Sequence, residues 1–141
     1  MRIAIASDHG GFALKQEVLA LLRDLGHEVH DLGCDSSQSV DYPNFAQAVC
    51  DAVGEGKSER GILICGTGIG MSIAANRDRR IRAALCHDAF TARLSREHND
   101  ANVLCLGGRV LGSAVALDMV GIFVDTPFSG GRHQRRIDLM S

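Results

Sequence analysis

No apolar run in this chain approaches the ~20 consecutive residues that a membrane-spanning helix requires. The opening Met1-Arg2-Ile3-Ala4-Ile5-Ala6-Ser7 is too short an apolar stretch for a secretory signal. Neither sign of charge is in excess. Fifteen Lys and Arg against 17 Asp and Glu leave a formal net charge of −2, which argues against a general nucleic-acid binder. No C-x-x-C pair is present, and the five cysteines (Cys34, Cys50, Cys65, Cys86 and Cys105) are odd in number. They read as reduced thiols of a cytoplasmic protein, not as a disulfide framework. His27-x-x-His30 projects to opposite faces of an expected strand, and no other His, Cys or Asp set has ligand spacing, so no metal site is expected. Internal repeats, low-complexity segments and linkers are also missing. What remains is ordinary: 141 residues, 45% hydrophobic and 23% charged, expected to form one domain over residues 1–141.

Within that length, short apolar runs alternate with helical patterns. Strands are expected at Arg2 to Ser7, His27 to Leu32, Gly61 to Cys65, Ile81 to Cys86 and Asn102 to Leu106. Leu14, Val18, Leu21, Leu22 and Leu25 recur at helical spacing before Gly26, and Ala46, Val49, Cys50 and Val53 do so in a helix from about Asn44 to Val53. Gly33 to Pro43 reads as a loop. Further helices are expected after Gly68 to about Asn76, from Ala89 to Glu97, from Ser113 to Val124, and after Gly130-Gly131. The alternation predicts an α/β fold, a three-layer α-β-α sandwich around a five-stranded parallel sheet of Rossmann or flavodoxin type. Strand order 2-1-3-4-5 is expected, with a C-terminal helix, and ligands then bind outside the strand ends between strands one and three. That rule brings Asp8-His9-Gly10-Gly11 against Cys65-Gly66-Thr67-Gly68-Ile69-Gly70.

Two readings of Cys65 stand side by side. Free cysteine is most often a small apolar core residue. At the end of a buried strand, opening a glycine-rich turn into a helix, it is also suited to be an accessible thiolate, favoured by the helix N-terminus. Thr67 serves equally as a helix cap or as a hydrogen-bonding partner for a substrate oxygen. Gly66, Gly68 and Gly70 are either turn residues or three openings for close approach of an anion. Gly66-x-Gly68 partly matches a dinucleotide fingerprint, with Asp88 where a ribose-binding acid would lie, but Met71 occupies the third glycine position. A redox role for Cys65 lacks a resolving partner.

Arg132 and Arg136 are spaced i, i+4 behind Gly130-Gly131, either a phosphate clamp or a solvated basic tail. Arg77, Arg79, Arg80 and Arg82 read as surface. His98-Asn99 ends a helix, where histidine complements the dipole and needs no further function; a site role arises only if that end meets a pocket, such as that of another subunit.

Taken together, Asp8-His9-Gly10-Gly11, Asp41-Tyr42-Pro43, Cys65-Gly66-Thr67-Gly68-Ile69-Gly70, Arg96-Glu97-His98-Asn99, Gly107-Gly108-Arg109 and Gly130-Gly131-Arg132-His133-Gln134-Arg135-Arg136 resemble the ribose-5-phosphate isomerase B family over essentially the whole chain. The wider family includes allose- and galactose-6-phosphate isomerases. The resemblance implies a cofactor-free aldose–ketose isomerase of the pentose phosphate pathway that works through a cis-enediolate. It implies a homodimer, or a tetramer, with pockets shared between subunits. By resemblance Cys65 is the base, Thr67 assists at a substrate oxygen and His98 helps open the sugar ring. Asp8 binds near the ring oxygen, Tyr42 lines the pocket, and the amides of Gly66, Gly68 and Gly70 face the oxyanion. His9, Arg109, Arg132 and Arg136 hold the phosphate. His98, Asn99 and Arg109 are expected from the neighbouring subunit. A branch of the family places an acidic base at the position of Met71, which puts this chain with the cysteine branch.

Overall fold

The computed structural model describes residues 1–140. Five strands, β1 (Arg2–Ser7), β2 (Glu28–Asp31), β3 (Arg60–Cys65), β4 (Ala83–Leu85) and β5 (Val103–Gly107), form one sheet. Six helices accompany them: α1 (Phe12–Asp24), α2 (Tyr42–Gly54), α3 (Ile69–Ala75), α4 (Ala89–Glu97), α5 (Ser113–Asp125) and α6 (Arg132–Leu139). Every pairing is parallel.

The strand order is β2-β1-β3-β5-β4, so the expected order 2-1-3-4-5 is wrong in its last two places. Apolar continuity accounts for the exchange. Val103-Leu104-Cys105-Leu106-Gly107 is buried at every position and fits between two neighbours. Ala83-Ala84-Leu85 is three residues long, only partly buried, and follows a run of arginines, all marks of an edge.

Side chains alternate across the sheet with the two-residue strand period. Ile3, Ile5, Ile62, Ile64, Leu104 and Leu106 face α1, α4 and α5 and pack against Leu14, Val18, Leu22, Met119, Val120 and Phe123. The opposite face is built from Ala4, Ala6, Leu63, Cys65, Val103 and Cys105, against Ala46, Val49 and Cys50 of α2 and Met71 and Ala75 of α3. Small residues there bring α2 close: a Cβ on Gly61 would stand 2.5 Å from Val49 Cγ1. Cys86 and Cys105 are core residues, as their apolar settings predict. Burial pushes both thiols up, and moves Cys50 up to about 11.

Helix α2 begins at Tyr42, two residues before the expected Asn44, because Pro43 falls in the first turn, where its missing N–H costs nothing. Arg77, Arg79 and Arg80 are exposed, as expected, and Arg82 is half-buried, but Arg80 and Arg82 are both engaged. Arg80 pairs with Asp78 and Asp51, and Arg82 donates to the carbonyls of Asn99 and Asp100 and to Asp100 Oδ2. Lys15 on α1 is fully buried and donates to Asp31 Oδ1 at 2.7 Å and the Cys34 carbonyl at 2.6 Å, fastening the chain after β2.

Candidate active site

The carboxyl ends of β1, β3 and β5 lie side by side, and three turns leave them together. The first is Asp8-His9-Gly10-Gly11. Asp8 Oδ1 accepts from the N–H of Gly10 at 2.8 Å and of Gly11 at 3.2 Å, and Asp8 N–H donates to the Ile64 carbonyl at 3.1 Å. The second turn starts at Cys65. A Cβ on Gly10 would lie 3.0 Å from Gly66 N, so the two turns abut, as the switch-point rule requires. The third follows β5, where the N–H groups of Gly108 and Arg109 donate to the carbonyls of Cys65 (2.8 Å) and Gly66 (2.9 Å).

Cys65 is the last residue of a central strand, and its side chain joins the α2/α3 face of the core. It is 5% exposed, far less open than the glycines suggest. Its sulfur accepts the Gly68 N–H at 3.1 Å, a donor set at the entry to α3. Thr67 is exposed and its Oγ1 accepts from Ile69 N–H at 3.2 Å, a bond local to the turn; the cap position of α3 falls on Gly68, so the expected Thr67 cap is not formed.

Two of the three alternate glycines, Gly68 and Gly70, have packing reasons of their own. Gly68 has a left-handed φ of +80°, and a Cβ on it would stand 2.9 Å from the Leu106 carbonyl carbon. On Gly70 a Cβ would enter the ring of Tyr42, 2.6 Å from Cζ and 2.9 Å from the hydroxyl oxygen. Only Gly66 is open, facing the guanidinium of Arg109. Packing therefore accounts for Gly68 of the partial dinucleotide fingerprint and not for Gly66, and Met71, at its third position, is fully buried.

Arg109 belongs beside the Cys65 turn of its own chain, its Nη1 3.4 Å from where a Gly66 Cβ would be. The expectation that a neighbouring subunit supplies it is corrected: its backbone is tied to Gly66 and fixes it there. A recess of about 550 Å³, lined by Asp8, Val40, Asp41, Tyr42, Pro43 and Asn44, opens beside these turns. His9 stands partly buried next to Asp8, and its Nδ1 lies 3.2 Å from the Val40 N–H. Accepting that hydrogen leaves Nε2 as the nitrogen that carries a proton in the neutral ring. Sequence reasoning missed this bond, because nothing in the pattern ties residue 40 to residue 9.

His98, Asn99, Arg132 and Arg136 lie elsewhere. Strand β4 ends on the same edge as Cys65, and α4 then runs back, so its C-terminal His98 reaches the opposite, amino edge of the sheet. Arg82, just before β4, holds the Asn99 and Asp100 carbonyls there. Helix α6 joins them: the His98 and His133 rings stack with centroids 4.2 Å apart, and Ser129 N–H donates to the Glu97 carbonyl at 3.1 Å. Partial burial, followed by the neighbouring His98 imidazole and the Arg132 and Arg136 guanidinium groups, pushes the His133 ring down. The five residues of β5 separate the two edges by about 17 Å at ~3.3 Å per residue. One chain thus carries a thiol-and-recess group on one edge and an imidazole-and-arginine group on the other.

The molecule has close relatives. The chain is 47% identical to ribose-5-phosphate isomerase B of Escherichia coli (strain K12), an alignment covering 99% of this chain and 94% of that protein. Among solved structures, ribose-5-phosphate isomerase B of Clostridium thermocellum superposes with a TM-score of 0.98 at 51% identity, covering 99% of this chain and 95% of that one. A ribose 5-phosphate isomerase of Thermotoga maritima gives a TM-score of 0.97 at 52% identity, with 99% and 96% covered. The family model described as Ribose/Galactose Isomerase matches residues 3–140. With this sheet order, these turns and that match, the chain belongs to the ribose/galactose isomerase family and is a sugar-phosphate aldose–ketose isomerase of the ribose-5-phosphate isomerase B type.

Proposed function

We propose that this enzyme interconverts ribose 5-phosphate and ribulose 5-phosphate without a cofactor, with Cys65 as the base. The observation that carries the reading is the meeting of the Cys65 and Asp8–Gly11 turns at one sheet edge, beside the Asp8–Tyr42 recess and beneath Arg109. In the opened aldose, the Cys65 thiolate takes the proton from C2, and the electron pair moves into a C1–C2 double bond as the C1 carbonyl becomes an enediolate oxygen. The proton returns to C1, the O2 hydrogen transfers to O1, and C2 becomes the ketone. A positioned base contributes typically 10²–10⁴-fold, so the developing oxyanion needs donors as well. The amides of the Gly66–Gly70 turn other than Gly68 and Ile69, which bond the sulfur and Thr67, supply them in this reading together with the Thr67 hydroxyl. His9 offers Nε2–H to the phosphate, joined by Arg109.

His98 and Asn99, with Arg132 and Arg136, complete the pocket from a second subunit, because about 17 Å of sheet parts them from Cys65 within one chain. His98 then assists ring opening and the two arginines close on the phosphate. Holding the far end of the substrate converts phosphate binding into alignment of C1 and C2 with the sulfur. A homodimer is the smallest assembly that supplies both halves.

Rates on ribose 5-phosphate, allose 6-phosphate and galactose 6-phosphate test the substrate. Preference for ribose 5-phosphate supports the assignment, whereas preference for either six-carbon sugar moves the enzyme to the other arm of the family. Alkylation of Cys65 is expected to abolish turnover, and ribose 5-phosphate to protect the thiol. Alkylated enzyme at full activity would remove Cys65 from the mechanism.

A further inference from the structure

Arg96 takes no part in the chemistry above, yet it is only 5% exposed. A cation that deep is tolerated when its donors are met. Its Nε donates to the Thr126 carbonyl at 3.0 Å, and its Nη1 to the Ala101 carbonyl at 2.6 Å and Asp100 Oδ1 at 2.9 Å. These acceptors lie on two separate stretches. Asp100 and Ala101 close the turn that carries His98 and Asn99. Thr126 begins the strap that leads from α5 to Arg132 and Arg136. Asp100 has a φ of 45°, a left-handed conformation that needs support in a residue other than glycine. Arg82 supplies it from the other side, donating to Asp100 Oδ2 at 3.1 Å and to the Asp100 carbonyl at 3.0 Å. The His98–Asn99 turn is thus clamped by two guanidinium groups, and the Arg96 side chain reaches across to the strap.

We propose that Arg96 is a positioning residue, which fixes the spacing between the His98–Asn99 turn and the helix of Arg132 and Arg136. The ring-opening group and the phosphate clamp then meet the other subunit's thiol as one rigid unit. This rests on the shared pocket proposed above. Lysine is no substitute, since a single ammonium lacks the planar fork that spans acceptors on two segments. The end of α5 does not depend on Arg96 alone: Arg60 Nη1 donates to the Phe123 and Val124 carbonyls, at 2.5 and 2.8 Å.

The test uses Arg96→Lys and Arg96→Met in the full-length enzyme, with ribulose 5-phosphate formation as readout. Displacing a positioned group by about 1 Å costs up to about 10²-fold, so kcat/KM is expected to fall about 10–10²-fold. A raised KM accompanies the lowered kcat, because phosphate and ring oxygen lose their alignment together. Each variant is then assembled into mixed dimers with Cys65→Ala. One pocket of such a dimer combines both defects and the other has neither, so turnover per intact pocket is expected to return to the wild-type value. A control pair, Arg132→Ala with Cys65→Ala, reports on the shared pocket itself. Recovery in the control without recovery in the Arg96 pairs overturns the positioning role, because the damage has then spread through its own chain. No recovery in the control overturns the shared pocket, and the Arg96 assignment with it. Wild-type kcat/KM in both Arg96 variants, or failure of both to fold, also overturns the assignment.

Discussion

Replacing Gly68 by alanine perturbs the turn on which the thiol depends, and the size of the effect follows from three contributions. An L-residue held at φ +80° costs about 1–2 kcal/mol, because its Cβ crowds the following carbonyl. The new methyl would also stand 2.6 Å from Leu85 Cδ1, which can swing away, and 2.9 Å from the Leu106 carbonyl carbon, which cannot, because β5 is a central strand. Overpacking of that kind costs about 1–3 kcal/mol. Lower entropy of the unfolded chain offsets about 0.4–1 kcal/mol of this. The net destabilisation is about 1–4.6 kcal/mol, against a total of about 5–15 kcal/mol, so the variant remains folded. Urea unfolding is the assay, with the midpoint falling by about 0.5–2 M at an unchanged slope. Gly121→Ala is the control: nothing lies within 4 Å of its Cβ, and removing a glycine from the middle of α5 stabilises by about 0.5–1 kcal/mol. Because the Gly68 N–H donates to the Cys65 sulfur, kcat falls alongside stability. A Gly68→Ala midpoint equal to wild type, with Gly121→Ala behaving as expected, would refute the claim that packing dictates this glycine.

Two further outcomes follow from charged groups. Lys15→Met leaves the buried Cys34 carbonyl without its side-chain donor, while Asp31 keeps the Gly33 N–H and its access to water, so about 1–3 kcal/mol is lost in urea unfolding. Lys15→Ala adds a cavity and costs more, about 2–5 kcal/mol; equal stabilities for the two would contradict the packing argument. Arg80, bonded to Asp78 through its guanidinium and its backbone N–H, holds the Asp78 carboxyl down from 3.8 to about 2. The folded chain keeps this group ionised while the unfolded chain binds a proton, so stability is present above pH 3.8 and lost as pH falls through about 2. Asp78→Asn is expected to flatten the rise of Tm between those two values and to leave the slope above them unchanged; an unaltered acid slope would dismiss the pair.

Much of the fold was legible because its signals are local. Apolar runs of strand length alternate with helical stripes, which fixes a parallel sheet and the meeting of the turns after β1 and β3. The exchange of β4 and β5 is a choice among neighbours, and the four arginines before and within the expected Ile81–Cys86 strand are its only local sign, because that strand shortens to Ala83–Leu85 only in the folded chain. At the site, the glycine pattern located the Cys65 turn but left the reasons for it open. Gly68 and Gly70 answer to Leu106 and Tyr42, residues distant in sequence. The exposure of Cys65 was overestimated, because strand alternation turns its side chain toward α3. Lys15 gave a readable signal, a cation beside the apolar stripe of Leu14, Val18 and Leu22. Arg96 gave none, since its acceptors are carbonyls, which every residue has.

Turnover of ribose 5-phosphate by Cys65→Ala tests the central claim most directly, with the folded state checked by its urea midpoint. The sulfur as base predicts a kcat lowered by about 10²–10⁴-fold, with loss of solvent-deuterium entry into the product. Wild-type kcat in Cys65→Ala would contradict it.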